Sequence, residues 1–520
     1  MASESVKPQG EIWEAKAEAA SGPPHPVRPE EREPRWKRVN RQQLLLRTVN
    51  VEELVESDPV VRAIWELVGG LDLSRFWEDI EAVEGVAGRP AFDPQLLISL
   101  WIYAYSEGVS SAREVERRCL YHPACQWLTG METVNHHTLS DFRVQHPEAL
   151  DELFAQVLGV LSAEGLITLE RVMHDGTKVK ASASGKSFRR EETLRAHLEQ
   201  ARERVRQMGD PRREEMSPRR AQAQERARRE KVERLEQALE EMQKVQAAPQ
   251  SRTDPAQRRV SETDPEARMM KQGDGGRAPS HHVQISTDAA YRLIVGVSVT
   301  QSANDEGQLP GVLDEVERNL GQLPQQVVAD AGYGTRETIL QREERQIDFI
   351  GGTVEAGGRS RPRPGIDPGF GAAAFAYEAE RDLYTCPAGK ELGRRGTERA
   401  RVGVLHHVYP AQTGDCRGCV FRPQCCAGTA ARRILRSENV PVVAAFVEKM
   451  KTPAAQAVYR LRGAGAEFPP AWLKAKIGLR QFRVRGLKKV RCEVLWACLT
   501  YNIQQWVRVR WRVRSALAQT

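Results

Sequence analysis

A chain of 520 residues, 40% hydrophobic and 28% charged, is long enough for two to four domains and at least one sizeable core. Its net charge of +7 is unevenly placed: residues 456–520 carry fourteen Lys or Arg against two acids, a local net of +12, so the remainder sums to −5. No apolar run approaches the roughly eighteen residues of a membrane helix, and residues 1–10 hold no apolar stretch of a secretion signal, so a membrane or exported protein is not expected.

Residues 1–40 are rich in Pro, Glu, Lys and Ala without a sustained period and are expected to be disordered. Residues 41–166 read as a compact helical domain, with apolar residues at helical spacing in 51–68 and 94–105; Asp93 is placed to cap a helix that Pro94 begins. A strand is expected over 167–175, ending in the turn Asp175-Gly176-Thr177. Residues 188–280 are expected to be a helical-hairpin insertion. Leu194, Leu198, Ala201 and Val205 face one way on its first helix, Val232, Leu235, Leu239 and Met242 on its second, with a break at Gly209-Asp210-Pro211 and a flexible return over 250–280. Strands follow at 282–287, 293–300 and 326–329, with a helix over about 307–320 before the last. Strand–strand–strand–helix–strand is a mixed α/β core, split into 167–345 and 446–506. Between the two halves, residues 346–445 are Gly-, Arg- and Cys-rich and read as an inserted module; residues 507–520 are a basic tail.

Two acids stand at expected strand ends, each followed closely by glycine: Asp175 in His174-Asp175-Gly176-Thr177 and Asp330 in Ala329-Asp330-Ala331-Gly332-Tyr333. A strand end fixes the backbone while the carboxylate emerges at the sheet edge, where magnesium can take oxygen ligands. Either Asp alone reads more readily as the start of a turn. Further on, Tyr459, Arg462, Glu467 and Lys474 form a third block, in which Glu467 and Lys474 lie seven apart and would share one face of a continuous helix.

These three blocks, in this order, resemble the acidic blocks of the DDE transposases of bacterial insertion sequences, which have a ribonuclease-H-like core. The third is similar to the Tyr-Arg-Glu-Lys signature of the IS-four and IS-five-like branches. Residues 478–487, Gly-Leu-Arg-Gln-Phe-Arg-Val-Arg-Gly-Leu, are similar to a stretch these enzymes carry there. Trp127-Leu128-Thr129-Gly130 and Thr138-Leu139-Ser140-Asp141-Phe142-Arg143 look like their N-terminal domain. The branch most resembled is the long, cysteine-bearing one named after insertion sequence eleven-eighty-two.

The resemblance covers residues 42–505 and implies several expectations. Asp175, Asp330 and Glu467 would hold two Mg2+ (or Mn2+) ions, with Tyr459, Arg462, Lys474, Arg480, Arg483 and Arg485 positioning DNA phosphates. The implied reaction cuts phosphodiester bonds at the element's ends and joins the 3′ ends to target DNA. The partners would be double-stranded DNA, as terminal inverted repeats and as target, and a second copy of the chain, with no membrane and no nucleotide cofactor. The place of action would be the cytoplasm, on the nucleoid. One departure stands out: Pro469-Pro470 follows Glu467 and Gly463 and Gly465 precede it, which puts the acid at a helix start. Glu493 is its rival, in an apolar helix where it reads as structural or surface. A nuclease of the same fold that cuts without joining, and an inactive DNA-binding descendant, remain as alternatives.

The nine cysteines are clustered. Cys416-x-x-Cys419 and Cys425, with Cys386 upstream, can supply four thiolates to a structural Zn2+ in a zinc-ribbon-like module too poor in apolar residues for a core of its own. Cys426 competes with Cys425 for the fourth place, and the resemblance favours Cys425. Arg417 and Arg422 are expected to lower the thiol pKa values. Cys119, Cys125, Cys492 and Cys498 lie in apolar helical contexts and are expected in the core. The His136-His137, His281-His282 and His406-His407 pairs lack ligand spacing and are given no role.

Overall fold

A computed structural model of the chain describes residues 44, 46, 48–56, 60–78, 80, 90–207, 217–247, 254–352, 366–399, 405–426, 428–437 and 441–511. The segment expected to be disordered and the end of the basic tail lie outside the described residues. The chain divides into Met1–Val49, whose few described residues have no regular structure, and Asn50–Thr520, which carries everything below.

Six helices open the larger unit: α1 (Val60–Gly69), α2 (Pro94–Ser106), α3 (Ala112–Cys119), α4 (Pro123–Thr129), α5 (His136–Gln145) and α6 (Pro147–Ala163). Asp93 caps α2 as its sequence predicts, accepting the Gln95 N–H, with Pro94 at the first helical position. Strand β1 (Arg171–Lys180) follows, then the short β2 (Phe188–Arg189) and the hairpin α7 (Glu191–Arg206) and α8 (Pro218–Ala247). The hairpin closes over Leu194, Leu198, Ala201, Leu235, Ala238 and Met242.

The return to the sheet is more ordered than expected for a flexible segment. β3 (Val260–Ser261) pairs with β2, and β4 (Arg268–Lys271) pairs with the start of β5 (Arg277–Asp288). Asp264 and His281, both fully buried, meet at 3.1 Å and fasten this return to β5. The main sheet is completed by β6 (Ile294–Thr300), helix α9 (Leu309–Leu320), β7 (Gln326–Ala329), helix α10 (Arg336–Glu344) and β8 (Asp348–Gly351).

Its strands run β6–β5–β1–β7–β8, with β4 also on β5. β5 is antiparallel to β1 and β6, while β1, β7 and β8 are parallel. This mixed sheet is the ribonuclease-H-like arrangement, and its last strand falls inside the range expected for the insertion. The cysteine-bearing segment holds two small sheets: β9 (Ala376–Glu378), β10 (Leu383–Thr385) and β11 (Glu391–Gly393), then β12 (Gly396–Arg399), β13 (Leu405–Pro410) and β14 (Arg433–Ser437). Two single-turn helices, α11 (Thr413–Arg417) and α12 (Arg422–Cys425), lie between β13 and β14.

Helices α13 (Pro441–Lys451), α14 (Pro453–Arg460), α15 (Arg462–Ala466), α16 (Phe468–Ala475) and α17 (Leu487–Trp506) close the chain. α17 is apolar almost all round and buried along most of its length, as a helix surrounded by protein must be. One continuous core joins it to the N-terminal helices and to β1, β5 and β6. Asn502 fixes it to the sheet: its amide accepts the Ile294 N–H at 2.8 Å and donates to the Ile294 carbonyl at 2.7 Å, serving the edge of β6 as a strand partner would. Trp496 donates to the Arg143 carbonyl at 3.0 Å and ties α17 to α5. Cys119, Cys125, Cys492 and Cys498 are buried in this core, as expected. Among the described residues no helix is long and apolar enough to cross a membrane.

Candidate active site

Asp175 lies in the middle of β1 rather than at its end. The strand runs on because β5 supplies antiparallel partners from Val172 as far as Lys180, whereas β7 runs beside only Arg171–Met173. Continuing the β1–β7 register two residues past Val328 sets Asp330 beside Asp175. Each carboxylate is held by a nearby glycine: Asp175 Oδ1 accepts the Gly176 N–H at 2.9 Å, and Asp330 Oδ1 accepts the Gly332 N–H at 2.7 Å.

Both glycines are closely surrounded. A Cβ on Gly176 would lie 2.5 Å from His282 Nε2, 2.6 Å from the Tyr333 hydroxyl and 2.9 Å from Asp305 Oδ1. A Cβ on Gly332 would lie 3.0 Å from Asp330 Oδ1 and 3.2 Å from Asp305 Oδ2. A third acid, Asp305, from the loop between β6 and α9, therefore faces the pair. Burial is the largest influence on Asp175 and pushes its pKa up to about 7; Asp330 and Asp305 push the same way, against the Gly176 N–H and Arg462.

Beneath the acids runs a buried polar chain. His174 bonds Ser286 at 2.9 Å and Gln284 at 3.0 Å, and burial drives its pKa down to about 3, so its ring is neutral. The Tyr333 hydroxyl stands 2.7 Å from Gln284 Oε1 and 3.1 Å from Asp305 Oδ1. His282 Nε2 lies 3.3 Å from the same Asp305 oxygen. Neither Asp305 nor His282 is picked out by sequence: an acid after a strand and before a glycine looks like any turn acid, and only the fold brings it to β1.

The third block reaches the pair because α15 lies flat on β1. A Cβ on Gly465 would come within 1.9 Å of the Met173 sulfur, so a larger residue here must displace that thioether. Arg462 is thereby near enough to draw Asp175 toward its charged form. Lys474, half-buried, has its pKa lowered by burial and raised in part by Asp175. Glu467 sits at the junction of α15 and α16, the helix start its proline neighbours suggest. Its carboxylate lies 3.5 Å from Arg462 Nη2, with the side chain 58% exposed against 22% for Arg462. Tyr459 lies under Arg462, guanidinium carbon to ring centre 5.9 Å.

Glu493 is fully buried, accepting the N–H groups of Arg483 (2.9 Å) and Val484 (3.3 Å). It shapes the segment after α16 and is structural, not a surface group. That segment is also bound to the end of β1: Lys180 N donates to the Arg480 carbonyl and Phe482 N to the Lys180 carbonyl. Arg480, Arg483 and Arg485 are exposed along it, with Arg480 Nε on the Lys474 carbonyl and Arg485 Nε on the Ser182 carbonyl.

A divalent ion wants carboxylate oxygens with space between them. The two glycines leave such a cradle, and no more than about 6 Å separates Asp330 Oδ1 from Asp305 Oδ2 across the Gly332 position, the scale on which shared ions about 4 Å apart are held. The donor set fits magnesium or manganese. Among the described residues, no three His, Cys, Asp or Glu side chains already stand at ligand spacing.

In the cysteine module, Cys386, Cys416, Cys419, Cys425 and Cys426 line one small apolar cavity. The turn after β10 presents Cys386, whose sulfur accepts the Lys390 N–H at 3.3 Å; the Cys416 sulfur accepts the Arg432 N–H at 3.5 Å. Arg422 does not serve the thiols as expected: its guanidinium donates to the carbonyls of Cys416, Thr429 and Ala430. Burial pushes the Cys425 and Cys426 thiols up.

Two family models match the chain. A Transposase DDE domain matches residues 385–507, which include the cysteines of the module and the third block, and a Transposase domain (DUF772) matches residues 49–145, the first five helices. No curated protein and no solved structure matches it. With a transposase-domain match before and after a ribonuclease-H-like sheet, the chain is similar to the bacterial insertion-sequence DDE transposases.

Proposed function

We propose that this protein cleaves phosphodiester bonds at the ends of an insertion sequence and joins the freed 3′ ends to target DNA. The observation that carries the reading is the meeting of three distant blocks: Asp175 and Asp330 as lateral neighbours, with Arg462 and Lys474 brought to Asp175 by α15 and α16. Asp175, Asp330 and Glu467 are the residues to hold divalent magnesium or manganese. Bound there, the ions would activate the attacking oxygen and stabilise the leaving one.

The chain's own groups supply the rest. Arg462 and Lys474 are cations half-sheltered from water, where a phosphate contact is worth more than on an open surface. Tyr459 presents a ring beside Arg462 for a nucleotide to rest on. Arg480, Arg483 and Arg485 extend the basic face along the DNA backbone and set position, not sequence. The helices α1–α6 would read the terminal repeats. Two ends must be held together, which calls for a homodimer, and the work belongs in the cytoplasm on the nucleoid. The five thiols of the insertion are suited to one structural zinc, with Cys386, Cys416, Cys419 and Cys425 as its ligands. The eleven-eighty-two branch fits the long, cysteine-bearing chain.

A DNA-binding protein without activity draws on one observation, the exposed Glu467 paired to Arg462. The test supplies duplexes carrying terminal repeats, intact in one set and precut in another, with supercoiled target DNA and magnesium. Joined products with the wild type and none with Asp330→Asn support the reading. Cutting of intact ends without joining selects the nuclease, and tight binding with neither reaction selects the inactive binder.

A further inference from the structure

We propose that Asp305 is a further carboxylate of the metal centre, sharing a divalent cation with Asp330. The inference rests on the transposase reading above and adds a residue that none of the three acidic blocks contains.

Asp175 and Asp330 each accept the backbone N–H of a glycine close by in sequence. Asp305 has no such bond. Its Oδ1 is met instead by two side chains distant in the chain, the Tyr333 hydroxyl at 3.1 Å and His282 Nε2 at 3.3 Å. Tyr333 and His282 are both buried, His282 to 2% exposure, and Tyr333 is itself fixed by Gln284. With Oδ1 so held, Oδ2 lies 3.2 Å from where a Gly332 Cβ would stand, a point that Asp330 Oδ1 approaches to 3.0 Å. The side chain of Asp305 remains 33% exposed, so solvent-borne ions can reach it. Two ionised carboxylates that approach one point beside a glycine repel unless a cation is shared between them. The alternative third acid, Glu467, is more exposed and lies 3.5 Å from Arg462.

The test is titration of metal-free, full-length protein with Mn2+, counting free ion by electron paramagnetic resonance, in wild type, Asp175→Asn, Asp305→Asn and Glu467→Gln. Circular dichroism spectra confirm that each variant is folded. The expected result is loss of tight binding in Asp175→Asn and weakening of about tenfold or more in Asp305→Asn, with a smaller weakening in Glu467→Gln. Binding by Asp305→Asn within threefold of wild type, while Asp175→Asn has lost it, overturns the role of Asp305 and leaves the transposase reading standing. Undiminished binding by Asp175→Asn overturns the metal centre itself and Asp305 with it. Should Asp305→Asn not fold, Tyr333→Phe decides. Removing the hydroxyl that holds Asp305 is expected to weaken Mn2+ binding severalfold, and unchanged binding rejects the proposal.

Discussion

Replacing Asp175 by Asn should make the metal-free protein more stable at alkaline pH. The Asp175 pKa is raised from 3.8 to about 7, chiefly by burial and then by its acidic neighbours. An acid whose folded pKa lies above its unfolded value contributes stability that is intact below the unfolded pKa and lost as pH rises through the folded one. The window is therefore about pH 4 to 7. Ionising Asp175 across three pKa units costs about 4 kcal/mol once the pH exceeds 8. Asn has the same shape, keeps an oxygen for the Gly176 N–H, and carries no charge. In EDTA the two proteins should melt together near pH 4, separate progressively up to pH 7, and differ by a constant amount above pH 8. For a unit of this size the melting entropy converts about 4 kcal/mol into roughly 4 °C. The assay is calorimetry at one scan rate over this pH range, repeated with magnesium. Magnesium should raise the melting point of the wild type at pH 8 and leave that of the variant nearly unchanged. A variant less stable than wild type at pH 8 in EDTA, or a gap that ignores pH, refutes the reasoning, since Asp175 would then be held by its favourable partners and not strained by its neighbours.

Gly465→Ala places a methyl on the Met173 sulfur and should cost about 1–3 kcal/mol while pushing Arg462 and Glu467 off β1. DNA cleavage should fall with it, and the double variant with Met173→Ala should recover part of both the melting point and the activity. Glu493→Ala strands the N–H groups of Arg483 and Val484 and should lower stability by about 3 kcal/mol, with a smaller loss for Glu493→Gln, as read by denaturant titration. Purified protein should contain about one zinc per chain by mass spectrometry. Cys416→Ser should remove it, and Cys119→Ser, in the core of the helical region, should not.

Much of this arrangement is legible in the sequence because local physics decides it. Pro94 after Asp93 starts a helix whatever surrounds it, the apolar run before Asp330 makes a strand that ends there, and the glycines and prolines about Glu467 put it at a helix start. What is not legible depends on partners far away. β1 continues past Asp175 only because nine residues of β5 pair with it, and the return over 254–280 is ordered because Asp264 finds His281 and β4 finds an edge. Glu493 is drawn into the core by N–H groups ten and nine residues earlier. His282 and Asp305 are eclipsed by the same blindness: nothing local distinguishes a turn acid from one that faces Asp330.

The most direct test of the account is cleavage of a duplex carrying the element's end, in magnesium, by wild type beside Asp175→Asn, Asp330→Asn and Lys474→Ala, with DNA affinity measured in parallel. The expected result is cutting at the end by the wild type, a loss of at least about a hundredfold in each Asp variant, a smaller loss for Lys474→Ala, and Asp-variant affinity for DNA close to that of the wild type. Cutting by Asp175→Asn or Asp330→Asn at the wild-type rate would contradict the claim that these two neighbouring carboxylates form the reactive centre.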